Sequence, residues 1–461
     1  MKLDTAPIAA IATASGRGGV GIVRISGRNL DAFITGFFKN TDMTLPMKPR
    51  FAYFTQFKDA EGSMIDEGIA LFFKGPHSYT GEDCLELQGH GGTIVMQMLL
   101  KRCLEVGASL GLRMAEPGEF TRRAFLNNRI DLTQAEAIAD LIDATTEESV
   151  RSATRSMSGE FSRQIQTVAN DVINLRMLVE ATMDFPEEDI DFLAKEKPNE
   201  RIADMRIALK NILSQAAQGV LLRDGINIVL AGQTNVGKSS LFNTMTGTNS
   251  AIVTPIAGTT RDRITESFQL EGIPVVLTDT AGIREKEAAD EVEKIGIDRT
   301  WDEIGKADMI LHLLDASIGP TREDEITFAS FPENIPVIQV WNKIDISGHR
   351  PSLDHIMGTT QVYLSTVTGQ GIDLLKEAVL EAAGWVKTGE STCLARERHI
   401  TAIHEADSHL AAASELAENG DNLDLLAEEL RLAQNALNSI TGEFTSDDLL
   451  GKIFSQFCIG K

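Results

Sequence analysis

Three short motifs in the middle of the chain combine residue types that handle phosphates, a divalent cation and a purine base. Gly232-Gln233-Thr234-Asn235-Val236-Gly237-Lys238-Ser239 has the form of a phosphate-binding loop. It lies between an apolar run, Ile226–Leu230, and a helical stretch over Ser239–Met245, so a Gly-rich turn presents backbone N–H groups and a helix N-terminus to phosphates. Lys238 is placed to reach the β- and γ-phosphates, the Ser239 hydroxyl to bind Mg²⁺, and Val236, Gly237 and Ser240 belong to the same nucleotide-binding set. About forty residues on, Val275–Thr278 leads into Asp279-Thr280-Ala281-Gly282. A carboxylate at that strand end suits the magnesium shell, and the Gly282 N–H suits a γ-phosphate. About sixty residues further, Ile338–Trp341 leads into Asn342-Lys343-Ile344-Asp345. The Asp345 carboxylate can accept two N–H bonds from guanine that adenine cannot supply. Ser365-Thr366 follows another apolar run where a guanine-contacting loop is expected; Ala usually follows that Ser, so Thr366 is a departure. Each motif sits in the strand–turn context its chemistry needs, and together they imply a guanine-nucleotide hydrolase.

Two details separate this set from a Ras-like switch. Many such enzymes place Gln directly after the Asp-x-x-Gly motif to orient the attacking water. Here Ile283 holds that position, so another polar group must act, and Glu285, Glu287, Glu291 and Glu293 are at hand, although such a charge run also suits a solvated face. No arginine finger is evident either. Asn235, with Thr254-Pro255-Ile256-Ala257-Gly258-Thr259-Thr260-Arg261-Asp262, could hold a monovalent cation in its place.

The elements that must position these groups imply three domains, since 461 residues exceed one ordinary core. Residues 1–118 read as a mixed α/β domain, with β-rich runs at Gly21–Ser26, Phe51–Phe57, Gly68–Phe73 and Cys84–Gln88 and a helix over Thr93–Val106. Helical spacing begins near Glu119. Thr133-Gln134-Ala135-Glu136 has capping-box form and opens a helix through Ala144. One long amphipathic stretch covers Glu147–Met183, and another helix covers Asn199–Leu222. Helical spacing resumes near Arg396 and runs to the end, broken near Gly420 and Gly442. The economical reading is a discontinuous helical domain, 119–219 with 384–461, into which a Ras-like P-loop domain, 220–383, is inserted. Two separate helical domains are the alternative.

The formal net charge of −24 argues against a general nucleic-acid coat. Residues 1–125 hold 14 Lys/Arg against 13 Asp/Glu, whereas 401–461 hold 3 against 11, so any RNA contact is expected on the amino-terminal part or through a partner. There is no apolar run of spanning length and no signal peptide, so a cytoplasmic protein without a membrane anchor is expected. Cys84, Cys103, Cys393 and Cys458 include no close pair, which supports neither a zinc site nor a disulfide framework.

Thr254, Ala257 to Asp262, Asp279 to Arg284, Asp290-Glu291-Val292-Glu293 and the terminal Phe457-Cys458-Ile459-Gly460-Lys461 closely resemble the tRNA modification GTPase family called MnmE or TrmE. The likeness extends through Gly16 to Ile22, Thr80-Gly81-Glu82-Asp83, Leu85 to Gly92, Pro117 to Phe120 and Ala124 to Asn127, and so covers essentially the whole chain. The resemblance implies a homodimer that acts with a flavoprotein partner, MnmG (GidA), which carries the FAD. The implied reaction adds an aminomethyl or carboxymethylaminomethyl group at C5 of the wobble uridine of certain tRNAs. The one-carbon unit would come from a tetrahydrofolate derivative, 5,10-methylene- or 5-formyl-, in the amino-terminal domain. Arg24, Glu86, Arg129 and Lys461 match the folate-binding positions, with Arg129 standing where some relatives have Lys. Glu293 matches the catalytic glutamate, Thr260 joins Ser239 at magnesium, and Asn235, Thr254, Ile256 and Thr259 match potassium ligands. Cys458 is the functional candidate at the terminus, with an ordinary thiol as the competing reading.

Several patterns are decoys. Gly16-x-Gly18-x-x-Gly21 matches a dinucleotide fingerprint, yet Ile22–Ser26 reads as a strand where a helix is required. The terminal Cys-Ile-Gly-Lys is spaced like a prenylation box but ends in Lys. His90 reads as structural, and His404 with His409 has a poor metal spacing. A pure binding switch, such as a ribosome-assembly GTPase, and a scaffold whose partner performs the chemistry are the rival functions. For the assigned glutamate, Glu293→Ala is expected to keep GTP affinity while turnover falls sharply, to be checked by nucleotide titration beside steady-state hydrolysis.

Overall fold

A computed structural model of the chain describes residues 5–184, 197–247, 265–279, 304–356, 358–386, 392–419 and 422–442, together with Ile453, Phe457 and Gly460. The chain divides into two units, Met1–Ala139 with Gln434–Lys461, and Asp140–Ala433.

In the first unit, side chains alternate across strands β1 (Ile8–Ile11), β2 (Gly18–Gly27), β3 (Ala52–Lys58), β4 (Met64–Phe73), β5 (Asp83–Gly91) and β6 (Arg113–Met114). They form one sheet in the order β3-β4-β5-β2-β1-β6, antiparallel except for the β1–β6 pair. Val23, Ile25, Leu85 and Leu87 point to one face and pack with Phe33, Phe37 and Leu99 of helices α1 (Asp31–Phe37) and α2 (Thr93–Gly107). The other face is partly covered by Phe120 of α3 (Glu119–Leu126), packed with Ile8, Ala10 and Ala115. The four expected strand runs and the α2 helix are present. Strands β1 and β6 and helix α1 were not expected, being short and without a clean period.

Helix α4 spans Leu132–Asp143, and its cap differs from the expected one. Thr133 lies inside the helix. The reciprocal pair is instead Asp131 and Gln134: the Gln134 N–H donates to Asp131 Oδ1 at 2.9 Å and the Asp131 N–H to Gln134 Oε1 at 3.0 Å. Asp131 Oδ1 also accepts from the Thr133 hydroxyl at 2.7 Å, so Thr133 donates to the cap and does not form it. Leu132 and Ala135 of α4 pack with Ile453 and Phe457.

In the second unit the expected 147–183 helix is two, α5 (Glu147–Met157) and α6 (Glu160–Asp184). They are parted by Gly159, whose φ of +79° no continuous helix allows. Helix α7 (Pro198–Asp224) then runs straight to Gly225 and the strand β7 (Ile226–Gly232). After it come α8 (Lys238–Gly247), β8 (Thr265–Leu270), β9 (Ile273–Asp279), β10 (Met309–Asp315), α9 (Arg322–Ala329), β11 (Val337–Asn342), α10 (Ile344–Ser347), β12 (Ser352–Ile356), β13 (Thr359–Tyr363) and α11 (Ile372–Ala382). The seven-stranded sheet runs β12-β13-β11-β10-β7-β9-β8, parallel through its middle and antiparallel at both edges. Strand β10 is buried at every position, as a central parallel strand requires.

The chain then returns to α7 before forming α12 (Glu397–Asn419) and α13 (Leu423–Thr441). The Gln218 amide of α7 donates to Gly384 O at 2.9 Å and accepts from the Val386 N–H at 3.0 Å. A Cβ on Gly219 would lie 2.1 Å from Cys393 O, so only glycine permits this crossing. Asp140 accepts from Arg223 Nε at 2.9 Å and from Arg396 at 2.7 Å, and Arg206 of α7 pairs with Asp407 of α12 at 2.8 Å. Helical segments from both sides of the nucleotide-binding segment thus pack on each other, with a P-loop domain inserted between them.

The first unit also buries a charged cluster. Glu119, 1% exposed, accepts from Arg113 at 2.7 and 2.8 Å, from Arg123 at 2.9 Å and from the Glu116 N–H at 2.9 Å. Burial alone would raise its pKa, but these donors outweigh it and pull the carboxyl from 4.5 to about 2. A lowered folded pKa means this stabilisation is complete above about pH 4.5 and is lost as pH falls toward 2. Glu119→Gln removes the charge that the buried Arg123 and the partly exposed Arg113 share, and is expected to cost about 3–5 kcal/mol at neutral pH. That deficit should shrink below pH 4.5, as urea unfolding at stepped pH will show.

Candidate functional site

The parallel strands of the second unit end on one edge, where open α/β sheets bind ligands. Register places Leu313 of β10 beside Gly232, Leu230 of β7 beside Asp279, and Asp315 beside Asn342. Short apolar strands therefore deliver the phosphate loop, the strand-end Asp279 and the Asn342 motif to the same edge without help from the connecting loops.

The phosphate loop is shaped for close approach. Gly232 has φ +141° and a Cβ there would lie 2.5 Å from Leu313 O; Gly237 has φ +103° and a Cβ there would lie 2.2 Å from Asn342 Nδ2. Asn235 adopts φ +65°, a left-handed conformation that Asn tolerates better than most residues. The buried Lys238 ammonium donates to Gly232 O at 2.8 Å and Gln233 O at 2.5 Å, which holds it inside the loop. Ser239 and Ser240 are exposed in the first turn of α8. The Ser239 hydroxyl lies 3.5 Å from Asp279 Oδ2, and this pair of hard oxygen donors fits Mg²⁺.

Asn342, 1% exposed, joins the guanine and phosphate ends of the site. Its amide donates to Val236 O at 2.8 Å and to Thr366 Oγ1 at 3.3 Å, and its Oδ1 accepts from the Thr366 N–H at 3.1 Å. Thr366, the departure from the usual Ala, therefore adds a contact. Asp345 is exposed, with its Oδ1 accepting from the buried Ser365 hydroxyl at 2.5 Å, while Ser365 Oγ accepts from the N–H groups of Val367 and Thr368. Lys343, at φ +69°, donates to Asp315 Oδ2 at 2.6 Å. Desolvation raises the Asp315 pKa, but the Lys343 and Ser317 donors outweigh it, and the net shift is downward. Sequence reasoning missed Asp315; its only signal is a carboxylate closing an apolar strand, as at Asp279.

In the first unit, Arg24 of β2 and Glu86 of β5 are register partners on the face away from α1 and α2. Arg24 Nε donates to Glu86 Oε1 at 2.9 Å, and the guanidinium lies over Tyr79 at 5.4 Å and Phe120 at 5.7 Å. A weak 3.5 Å bond reaches Gly460 O, and a Cβ on Gly460 would lie 2.2 Å from Ile11 O. Both charged side chains remain partly exposed, at 21% and 15%, so the pair has an open side with aromatic walls. Arg129 is exposed, its stem against Gly81, and is joined to the pair by no hydrogen bond. Tyr79 carried no sequence signal, and Phe120 stood out only as the end of the Pro117–Phe120 likeness. Thr254, Ile256, Thr259, Thr260, Thr280, Ala281, Gly282, Glu293, Cys458 and Lys461 lie outside the described residues.

The decoys resolve physically. The Gly16–Gly21 pattern runs into strand β2, and His90 Nδ1 sits 2.8 Å from Asp66 Oδ1. Cys84 is buried and its thiol is pushed up to about 12, which makes it inert. No helix among the described residues is long and apolar enough to cross a membrane.

A phosphate loop, a strand-end aspartate and an Asn-Lys-x-Asp motif on one sheet edge define a P-loop GTPase. Comparison with known proteins refines that class. The family profile described as "GTP-binding protein TrmE N-terminus" matches residues 7–129, and that of the "MnmE helical domain" matches 132–458. The chain is 59% identical over its full length, and that of the relative, to the tRNA modification GTPase MnmE of Herminiimonas arsenicoxydans. It is 58% identical to that of Janthinobacterium sp. (strain Marseille), again covering both chains entirely. Among solved structures it is similar to Era of Aquifex aeolicus, at 26% identity and TM-score 0.28 over 40% of this chain and 66% of that one. The chain belongs to the tRNA modification GTPase MnmE family and is a GTP hydrolase.

The base-reading group gives a direct test. Asp345→Asn replaces an acceptor oxygen by an N–H that faces the N–H groups of guanine. GTP affinity is expected to fall by roughly 10- to 100-fold, with xanthosine triphosphate gaining relative to it in competition binding.

Proposed function

We propose that this GTPase is potassium-stimulated and works as a homodimer with a flavoprotein partner of the MnmG (GidA) class, which carries the FAD, in the cytoplasm. It installs an aminomethyl or carboxymethylaminomethyl group at C5 of the wobble uridine of certain tRNAs, using a folate one-carbon unit. The observation that carries this reading is the Arg24–Glu86 pair, partly open between Tyr79 and Phe120. A pure nucleotide switch has no use for a carboxylate, a guanidinium and two aromatic walls set together in a separate unit. They suit a pterin, whose N–H groups a carboxylate accepts, and an anionic tail, which a guanidinium holds. Arg129 and Lys461 are assigned to the same ligand, and Cys458 to the chemistry at the terminus.

At the nucleotide site, Lys238 neutralises the β- and γ-phosphates while loop N–H groups orient them. Ser239, Thr260 and Asp279 would hold Mg²⁺, which offsets charge developing on the transferred phosphoryl group. Asn235, Thr254, Ile256 and Thr259 would hold K⁺, which supplies the positive charge an arginine finger otherwise brings. Glu293 orients the attacking water where Ile283 cannot. The proposed boundaries are 1–118 for the folate-binding domain, 119–219 with 384–461 for the helical domain, and 220–383 for the GTPase domain.

The test is mass analysis of tRNA nucleosides from cells lacking this protein, with and without a complementing copy. Loss of the C5-aminomethyl-type wobble uridines, restored by the wild-type copy and not by Arg24→Ala, is expected. Unchanged nucleosides would make ribosome assembly the leading alternative.

A further inference from the structure

One contact at the phosphate loop comes from outside the nucleotide motifs. The Gln233 side-chain amide donates to Thr321 Oγ1 at 2.7 Å, across 88 residues of sequence. Thr321 is the N-cap of α9 and forms a complete capping box with Asp324. Its hydroxyl donates to Asp324 Oδ2 at 2.7 Å and accepts from the Asp324 N–H at 3.2 Å, while its own N–H donates to Asp324 Oδ2 at 3.0 Å. A hydroxyl has one proton to give and two lone pairs to fill. With its proton committed to Asp324, Thr321 can only accept from Gln233, so the direction of that bond is fixed and the Gln233 amide has one orientation.

The backbone of Gln233 is what holds the phosphate-binding lysine. Gln233 O accepts from Lys238 Nζ at 2.5 Å, beside the 2.8 Å bond to Gly232 O. Gly232 is anchored through its β10 partner Leu313. For Gln233, the side-chain bond to Thr321 is the tether that leaves the loop. Helix α9 is a firm post for it: Phe328, at its far end, and Phe331, just beyond, pack on His312 of β10 at 6.1 and 5.3 Å between ring centroids. His312 is 1% exposed and neither ring nitrogen has a hydrogen-bond partner among the described residues, so the contact is an apolar one.

We propose that Thr321 is a positioning residue for GTP hydrolysis, holding Lys238 in place through Gln233. It lies outside the nucleotide motifs and acts through the Gln233 carbonyl that accepts from the Lys238 ammonium. The inference stands apart from the modification chemistry, because GTP turnover alone reads it.

The experiment compares Gln233→Ala, Thr321→Val, Thr321→Ser and the Gln233→Ala/Thr321→Val double variant in the full-length protein. Steady-state GTP hydrolysis and thermal midpoints are measured for each. Gln233→Ala keeps the Thr321–Asp324 box, so its midpoint should match wild type while kcat/KM falls by about two- to tenfold, the range for one hydrogen bond. Thr321→Val should show a similar loss, Thr321→Ser should restore turnover, and the double variant should lose no more than Gln233→Ala, because both changes break one link. Wild-type turnover in Gln233→Ala overturns the proposal, as do losses that multiply in the double variant or a Thr321→Ser as impaired as Thr321→Val. Should Thr321→Val fail to fold, Gln233→Ala and Thr321→Ser still decide the matter.

Discussion

The nucleotide site depends on the side chain of Asn342. Its amide nitrogen and oxygen fasten the phosphate loop at Val236 and the base-reading loop at Thr366, in a place that solvent does not reach. A buried amide must have its donors and acceptors satisfied, and here every partner is another part of the site. The approach is so close that position 237 accepts no side chain. Phosphate recognition and guanine recognition are therefore one rigid construction. A shift in either loop strands a buried polar group at a cost of about 1–3 kcal/mol.

The same logic governs the first unit with different chemistry. There, charge replaces the amide: Arg123 bridges Glu82 and Glu119 at 3.0 and 2.9 Å, with Arg113 closing the cluster. Ser26 and Thr80, 2.7 Å apart, extend it toward strand β2. This network lies on the sheet face that carries Arg24, two residues before Ser26 on the same strand. A half-open pair of charges keeps its geometry only if the backbone beside it cannot move, and a buried, multiply bonded ion cluster gives that rigidity.

Most of this was legible in sequence where one rule dominated. The buried parallel strands, the Gly-rich loop and the strand-end carboxylates each obey a local pattern, and each lies where that pattern puts it. The pattern failed where two local signals competed. Thr133 carries the capping-box pattern, yet the neighbouring Asp131 accepts from both the Gln134 N–H and the Thr133 hydroxyl and takes the cap. Gly159 interrupts an apolar period that continues on both sides, so periodicity alone reads through it. What no local rule reaches is contact at long range. The aromatic walls of Arg24 come from Tyr79 and Phe120, and the tether of Gln233 from Thr321, and nothing near those residues announces the meeting.

The Gly219 crossing bears on the order in which the chain can assemble. Helix α7 meets Cys393 there and Asp407 further along, yet both partners are synthesised after the entire nucleotide-binding segment. Closing that gap through unstructured chain carries the entropy of a very long loop. Once the inserted segment has folded, its two ends already lie on the same helix, bracketed by Gln218, and the remaining gap is short. Folding of the inserted segment therefore shortens the loop that the helices on either side of it must close.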